Sequence, residues 1–152
     1  LIEWRVDYFE DAYNLEAVAS ALREIRKVIG EMPLLFTFRS EREGGCKAIG
    51  SKDYFALNLA VAMYGEVDLI DIEIYQDLER AKNVIAMLHE AGIKVIASHH
   101  DFEKTPDLNE IMYIVEKEQE LGDKEIFITL GAGDIDRLVG PIAELLTEKH
   151  NG

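Results

Sequence analysis

Cysteine is almost absent. The 152-residue chain has one, Cys46, so no internal disulfide can staple the fold, and a reducing compartment is expected. Cys46 and the four histidines, His89, His99, His100 and His150, do not fall into a zinc-ligand pattern, and no metal site is expected. Basic residues are also scarce: 16 Lys and Arg stand against 30 Asp and Glu, a formal charge of −14. That balance disfavours nucleic acid and anionic membranes as partners, because both require a basic surface, and it serves solubility. No apolar run approaches the roughly 18–20 residues that span a bilayer. Leu1 to Asp7 carries no basic stretch of the kind that opens a signal peptide, so a cytoplasmic location is expected. The chain begins inside an apolar run, as a segment taken from a longer sequence would.

Hydrophobic residues make up 48% of the chain and charged residues 30%, a globular composition suited to a single domain over residues 1–152. Strand and helix patterns alternate along it. Leu1-Ile2-Glu3-Trp4-Arg5-Val6-Asp7 alternates apolar and polar residues, and a helix follows over 15–29 with Leu15, Val18, Leu22, Ile25 and Ile29 at helical spacing, closed by Gly30. The same reading predicts strands over 34–39, 68–74, 94–99 and 125–130, and helices over 53–64, 78–91, 106–121 and 135–149. The order βαβαβαβαβα implies an α/β fold with parallel strands joined by crossovers. An eight-unit barrel typically takes about 250 residues. Five units therefore make either an open sheet, flavodoxin-like in strand order, or a half-barrel. An uncovered sheet edge would favour a homodimer.

Charged residues gather at the strand ends: Glu3, Arg5 and Asp7; Arg39 and Glu43; Asp71 and Glu73; His99, His100 and Asp101. Successive strand C-termini would bring them into one patch, which is where βα barrels place catalytic groups. The same residues could instead form arginine–carboxylate pairs bridging neighbouring strands, since acids among large apolar residues are costly to bury unpaired. Beside Asp101, His100 is the natural acid–base candidate, with Asp71 or Glu73 to orient it.

Glu3-Trp4-Arg5-Val6-Asp7, Leu35-Phe36-Thr37-Phe38-Arg39-Ser40 with Glu43-Gly44-Gly45, Asp68-Leu69-Ile70-Asp71-Ile72-Glu73, and Ser98-His99-His100-Asp101-Phe102 with Thr105-Pro106 together resemble type I 3-dehydroquinate dehydratase. The resemblance covers about residues 1–122. It implies a βα barrel of the shikimate pathway that dehydrates 3-dehydroquinate through a lysine Schiff base and a histidine proton shuttle, with no metal or dissociable cofactor. It makes Glu3, Arg5, Arg39 and Glu43 the substrate-binding set, and His100 catalytic with Asp71 and Glu73 in support. His99 stands where the family usually has Asn.

Beyond Gly122 the pattern departs. Counting on from Leu121-Gly122, the Schiff-base lysine position falls on Phe127, which has no amine, and Lys124 lies earlier in the chain. Ile128-Thr129-Leu130-Gly131-Ala132-Gly133-Asp134-Ile135 is similar to the end of the C-terminal domain of Mur ligases, which are ATP-dependent. Its Gly-x-Gly could seat an anion at a helix N-terminus, but Asp134 and Asp136 oppose one, and Asp134 serves equally as an N-cap. These features lead to the expectation of an engineered chimera, a scaffold in which His100 is vestigial and dehydratase activity is lost. Two alternatives stand beside it: a working dehydratase, active through Lys124 or by oligomerisation, and a protein that binds small carboxylates on a degenerate barrel.

Overall fold

The computed structural model describes residues 1–102 together with Gly140 and Glu144. Contacts divide the chain into two units, Leu1–His100 and Asp101–Gly152, and the architecture below is that of the first. The predicted elements over 106–121, 125–130 and 135–149 lie outside the described residues.

Four strands form one sheet: β1 (Ile2–Arg5), β2 (Leu34–Thr37), β3 (Leu69–Glu73) and β4 (Lys94–Ser98). All neighbours are parallel, and the order is β1-β2-β3-β4. Each crossover carries one helix: α1 (Leu15–Ile29), α2 (Ser51–Tyr64) and α3 (Leu78–Glu90). A flavodoxin-like winding would put β1 inside the sheet between β2 and β3. Here β2 holds that place and the strands follow chain order, as in a βα half-barrel. None of the described helices is long and apolar enough to cross a membrane.

Local chemistry accounts for the boundaries. Asn14 caps α1, its side chain accepting from the amides of Glu16 and Ala17, and Asp77 caps α3 by accepting from Arg80. The helices turn Val18 and Leu22 (α1), Tyr54, Phe55 and Val61 (α2), and Val84, Ile85 and Leu88 (α3) into the core. All four residues of β2 are buried, as expected of an interior strand covered on both faces. The strands are shorter than their alternation suggests. The chain tightens into 3-10 turns at Val6–Tyr8, Glu41–Glu43 and Ile74–Gln76, so the charged ends lie at or just beyond the strand C-termini.

Candidate active site

Three parallel strand ends converge on one guanidinium. Arg39, just past β2, is 7% exposed. Its Nη2 lies 2.9 Å from Asp71 Oδ1. Its Nη1 donates to Glu73 Oε1 at 3.1 Å and to Ser98 Oγ at 2.9 Å, and lies 3.5 Å from Glu43 Oε2. Ser98 Oγ donates in turn to Asp71 Oδ1 at 2.8 Å, so β4 closes the ring of contacts. Burial alone would weaken the charge on Arg39, but Asp71, Glu73 and Glu43 more than compensate, and its pKa is raised.

The acids differ in what they can reach. Glu73 is wholly buried. Its Oε1 also accepts from the Ser40 amide at 2.8 Å, and its Oε2 accepts from Gln76 Nε2 at 2.7 Å. With both oxygens satisfied by the protein, it acts as a structural anchor. Glu43, though buried, turns toward the histidines. Its Oε2 accepts from the His100 amide at 3.0 Å and lies 3.0 Å from His100 Nδ1, while its Oε1 lies 3.5 Å from His99 Nδ1. The His99 ring also packs on Tyr75, with centroids 4.5 Å apart. The carboxylate next to the imidazole is thus Glu43; Asp71 and Glu73, expected from the sequence to orient His100, meet Arg39 instead.

At the edge of this cluster lie Glu3 and Arg5, the substrate-binding pair read from the sequence. Glu3 is exposed on β1. Arg5 forms a two-pronged bond with Asp7, Nε to Oδ1 at 2.8 Å and Nη2 to Oδ2 at 2.9 Å, and its guanidinium lies 5.2 Å from the centre of the Tyr8 ring. Asp7 also accepts from the amides of Cys46 and Arg39, tying the β1 end to the loop that carries Glu43. That loop turns on two glycines. Gly44 is left-handed at φ 86°, and a Cβ on Gly45 would sit 1.8 Å from the Arg39 carbonyl oxygen, so each position excludes side chains for its own reason. Among the described residues no group of three or more His, Cys, Asp or Glu side chains is arranged to hold a metal ion.

Sequence reasoning placed Asp7 in the charged patch but gave no role to Ser40, Tyr54, Gln76 or Ser98. Ser98 carried a usable signal, because it precedes the His99-His100 pair at a strand end. Ser40 and Tyr54 meet groups at the end of β3 that only the strand order brings close, whereas Gln76 reaches Glu73 three residues back in the chain.

The family model for type I 3-dehydroquinase matches residues 1–136. The chain belongs to the type I 3-dehydroquinase family. The 3-dehydroquinate dehydratase of Syntrophotalea carbinolica is 49% identical over 122 residues, 80% of this chain and 48% of that protein. The Listeria monocytogenes 3-dehydroquinate dehydratase is 40% identical over 154 residues, 99% of this chain and 61% of that protein. A crystal structure of the Clostridium difficile type I 3-dehydroquinate dehydratase, with covalently modified comenic acid, superposes with a TM-score of 0.75 at 46% identity, covering 80% of this chain and 48% of that one. The chain thus spans about half to three-fifths of the length of these curated relatives.

These matches lend the expectation of a chimera no support. A change of parentage near Gly122 finds no support in them: the type I 3-dehydroquinase model runs on to residue 136, and the Listeria protein aligns over 99% of the chain. Lys124, Phe127 and the Gly-x-Gly turn lie outside the described residues.

In this dehydroquinase-family site the two buried aspartates respond to pH with opposite sign. For Asp7 burial alone would raise the pKa, but the Arg5 bond and the Cys46 and Arg39 amides bring it below its ordinary 3.8. Its contribution to stability is therefore present above that value and lost as pH falls through the lowered one. For Asp71 burial dominates, and Arg39 and Ser98 offset it only in part, so its pKa is raised above 3.8. Its ionisation weakens the fold at neutral pH, and that penalty fades as pH falls through the raised value. Asp7→Asn is expected to lower stability at pH 7 by about 1–3 kcal/mol and to flatten the acid limb. Asp71→Asn should cost less, because its amide can still meet Ser98 and Arg39. Urea unfolding midpoints across acid to neutral pH check both, and a larger loss for Asp71→Asn at pH 7 would contradict the assignment.

Proposed function

We propose that this chain carries the acid–base part of a 3-dehydroquinate dehydratase site, a lyase acting on 3-dehydroquinate in the shikimate pathway. The observation that supports the reading most directly is the Glu43–His100 pair, anchored through Arg39 to the ends of β3 and β4. In neutral imidazole, Nδ1–H donates to Glu43, and Nε2 is then the nitrogen with a lone pair.

In the proposed reaction a lysine amine condenses with the ring ketone and releases water as the iminium forms. The iminium acidifies the adjacent C–H, and His100 Nε2 takes that proton. The electron pair left on carbon moves toward the iminium nitrogen. His100 then returns the proton to the departing hydroxyl, which leaves as water. Hydrolysis of the imine frees the lysine and a conjugated enone. Arg39, already engaged by buried acids, holds Glu43 in place. Glu43 holds the ring.

The amine belongs outside residues 1–102. Lys27 pairs with Glu24 in α1, Lys47 donates to the carbonyls of Asp7 and Phe9, and Lys52, Lys82 and Lys94 lie in α2, α3 and at the start of β4. The proposal assigns the imine to Lys124, since Phe127 cannot form one. A cytoplasmic setting belongs to the same proposal. Incubation with 3-dehydroquinate should produce the ultraviolet absorbance of a conjugated enone. A flat trace at high protein concentration, in a chain that other spectroscopy shows to be folded, would overturn the reading.

A further inference from the structure

The sheet is paired unevenly where it meets the site. The β1–β2 register runs to Arg5 opposite Thr37, and β3–β4 runs to Glu73 opposite Ser98. The β2–β3 register stops early, at Phe36 opposite Ile70. Extended by two places it would set Phe38 opposite Ile72. In a continued parallel ladder the Phe38 N–H would donate to the Asp71 carbonyl, and the Phe38 carbonyl would accept from the Glu73 N–H.

A side chain from α2 occupies that place. Tyr54 is fully buried. Its hydroxyl donates to the Asp71 carbonyl at 3.2 Å and accepts from the Glu73 amide at 2.8 Å. A phenol can do both at once, so one oxygen serves the two backbone groups that β2 leaves behind. The Tyr54 ring packs edge-on against Phe38, 6.3 Å between centroids and 83° between planes, which holds the hydroxyl at the split. Beyond the split the seam is joined by side chains of the site, Arg39 to Asp71 and Glu73, and by the Ser40 amide to Glu73.

We propose that Tyr54 is a positioning residue for the site: its hydroxyl replaces the β2 backbone where β2 and β3 part, and so keeps Asp71 and Glu73 converged on Arg39. The separation gives the guanidinium its place between strands without leaving β3 backbone groups unpaired, which burial would penalise. Burial, with Asp71 and Glu73 close by, also holds the phenol protonated well above the ordinary range. The catalytic consequence rests on the dehydratase reading; the geometric one does not.

Tyr54→Phe tests it, because the ring stays and only the hydroxyl goes. Exchange of the Glu73 amide should accelerate roughly tenfold to a hundredfold, and the separate NMR signals of the Arg39 Nη groups should merge as the guanidinium loosens. Amides in α1, such as Ala19 and Leu22, should keep their protection. In the turnover assay kcat should fall about tenfold while KM holds. Unchanged Glu73 exchange together with unchanged Arg39 signals would overturn the proposal. If wild-type protein shows no turnover, the dehydratase reading fails and the NMR readouts still decide the role of Tyr54. Should Tyr54→Phe not fold, the wild-type tyrosine decides alone: the ring carbon bearing its hydroxyl should show no titration while the fold persists, and a midpoint near the ordinary 10.0 would overturn the proposal.

Discussion

Arg39→Ala is expected to destabilise the fold by about 3–5 kcal/mol at neutral pH, the typical cost of removing one partner from a buried ion pair. Glu43, Asp71 and Glu73 are 6%, 4% and 0% exposed, and the Arg39 guanidinium is the cation that all three approach. Without it, three carboxylates face one another with little water to screen them. Asp71, whose pKa burial already raises, loses the offset that Arg39 supplies, so its pKa in the folded variant rises further above that of the unfolded chain. A raised carboxylate pKa weakens the fold above that pKa and ceases to do so below it. The variant should therefore recover part of its stability on acidification. Arg39→Lys should fall between the two, since an ammonium keeps the charge but cannot fork between Asp71 and Glu73. Urea unfolding at neutral and acid pH measures the effect. Equal midpoints for Arg39→Ala and wild type would mean that the acids do not depend on Arg39.

His100→Ala is expected to spare the fold and remove turnover. The His100 side chain is 39% exposed, so its loss opens no core cavity. The proton transfers assigned to it are worth about 10²–10⁴ in rate. Turnover of 3-dehydroquinate should fall by that factor, with an unfolding midpoint close to wild type, and added imidazole should restore part of it. Glu43→Gln should reduce kcat less, because the amide oxygen can still accept from Nδ1–H and hold the ring. An undiminished rate in His100→Ala would move the acid–base role to another group.

Much of the fold was legible, and α1 most clearly. In α1 the period of Val18 and Leu22 marks the buried stripe and Gly30 marks the end, whereas the Asn14 cap was seen only in the structure. The strand ends were harder. Alternation carries Val6 and Asp7 on as strand, but Asp7 turns back to meet Arg5, and no periodicity marks a 3-10 turn of that length. Strand order was not legible, because a repeated βα unit satisfies several windings; the pairing of Trp4 with Phe36, and of Phe36 with Ile70, decides it.

The site was legible as a set of charged residues and not as a wiring diagram. Arg39, Glu43, Asp71, Glu73 and His100 converge, but the bridging of strands by arginine and carboxylates, weighed in the sequence as the alternative to catalysis, is how Arg39 is used. The bridge reaches Glu43, and Glu43 in turn meets His100. Tyr54 gave no sign, because an aromatic at helical spacing on α2 looks like any core residue. Its hydroxyl matters only once β2 and β3 are seen to part beside it.

The most direct measurement is borohydride reduction of the chain in the presence of 3-dehydroquinate, followed by intact-mass and peptide mass spectrometry. The dehydratase reading requires an imine that borohydride converts to a stable amine, so a single substrate-derived adduct mapping to Lys124 is expected. A folded chain that gains no adduct under these conditions would contradict that reading and leave a family member without the covalent chemistry.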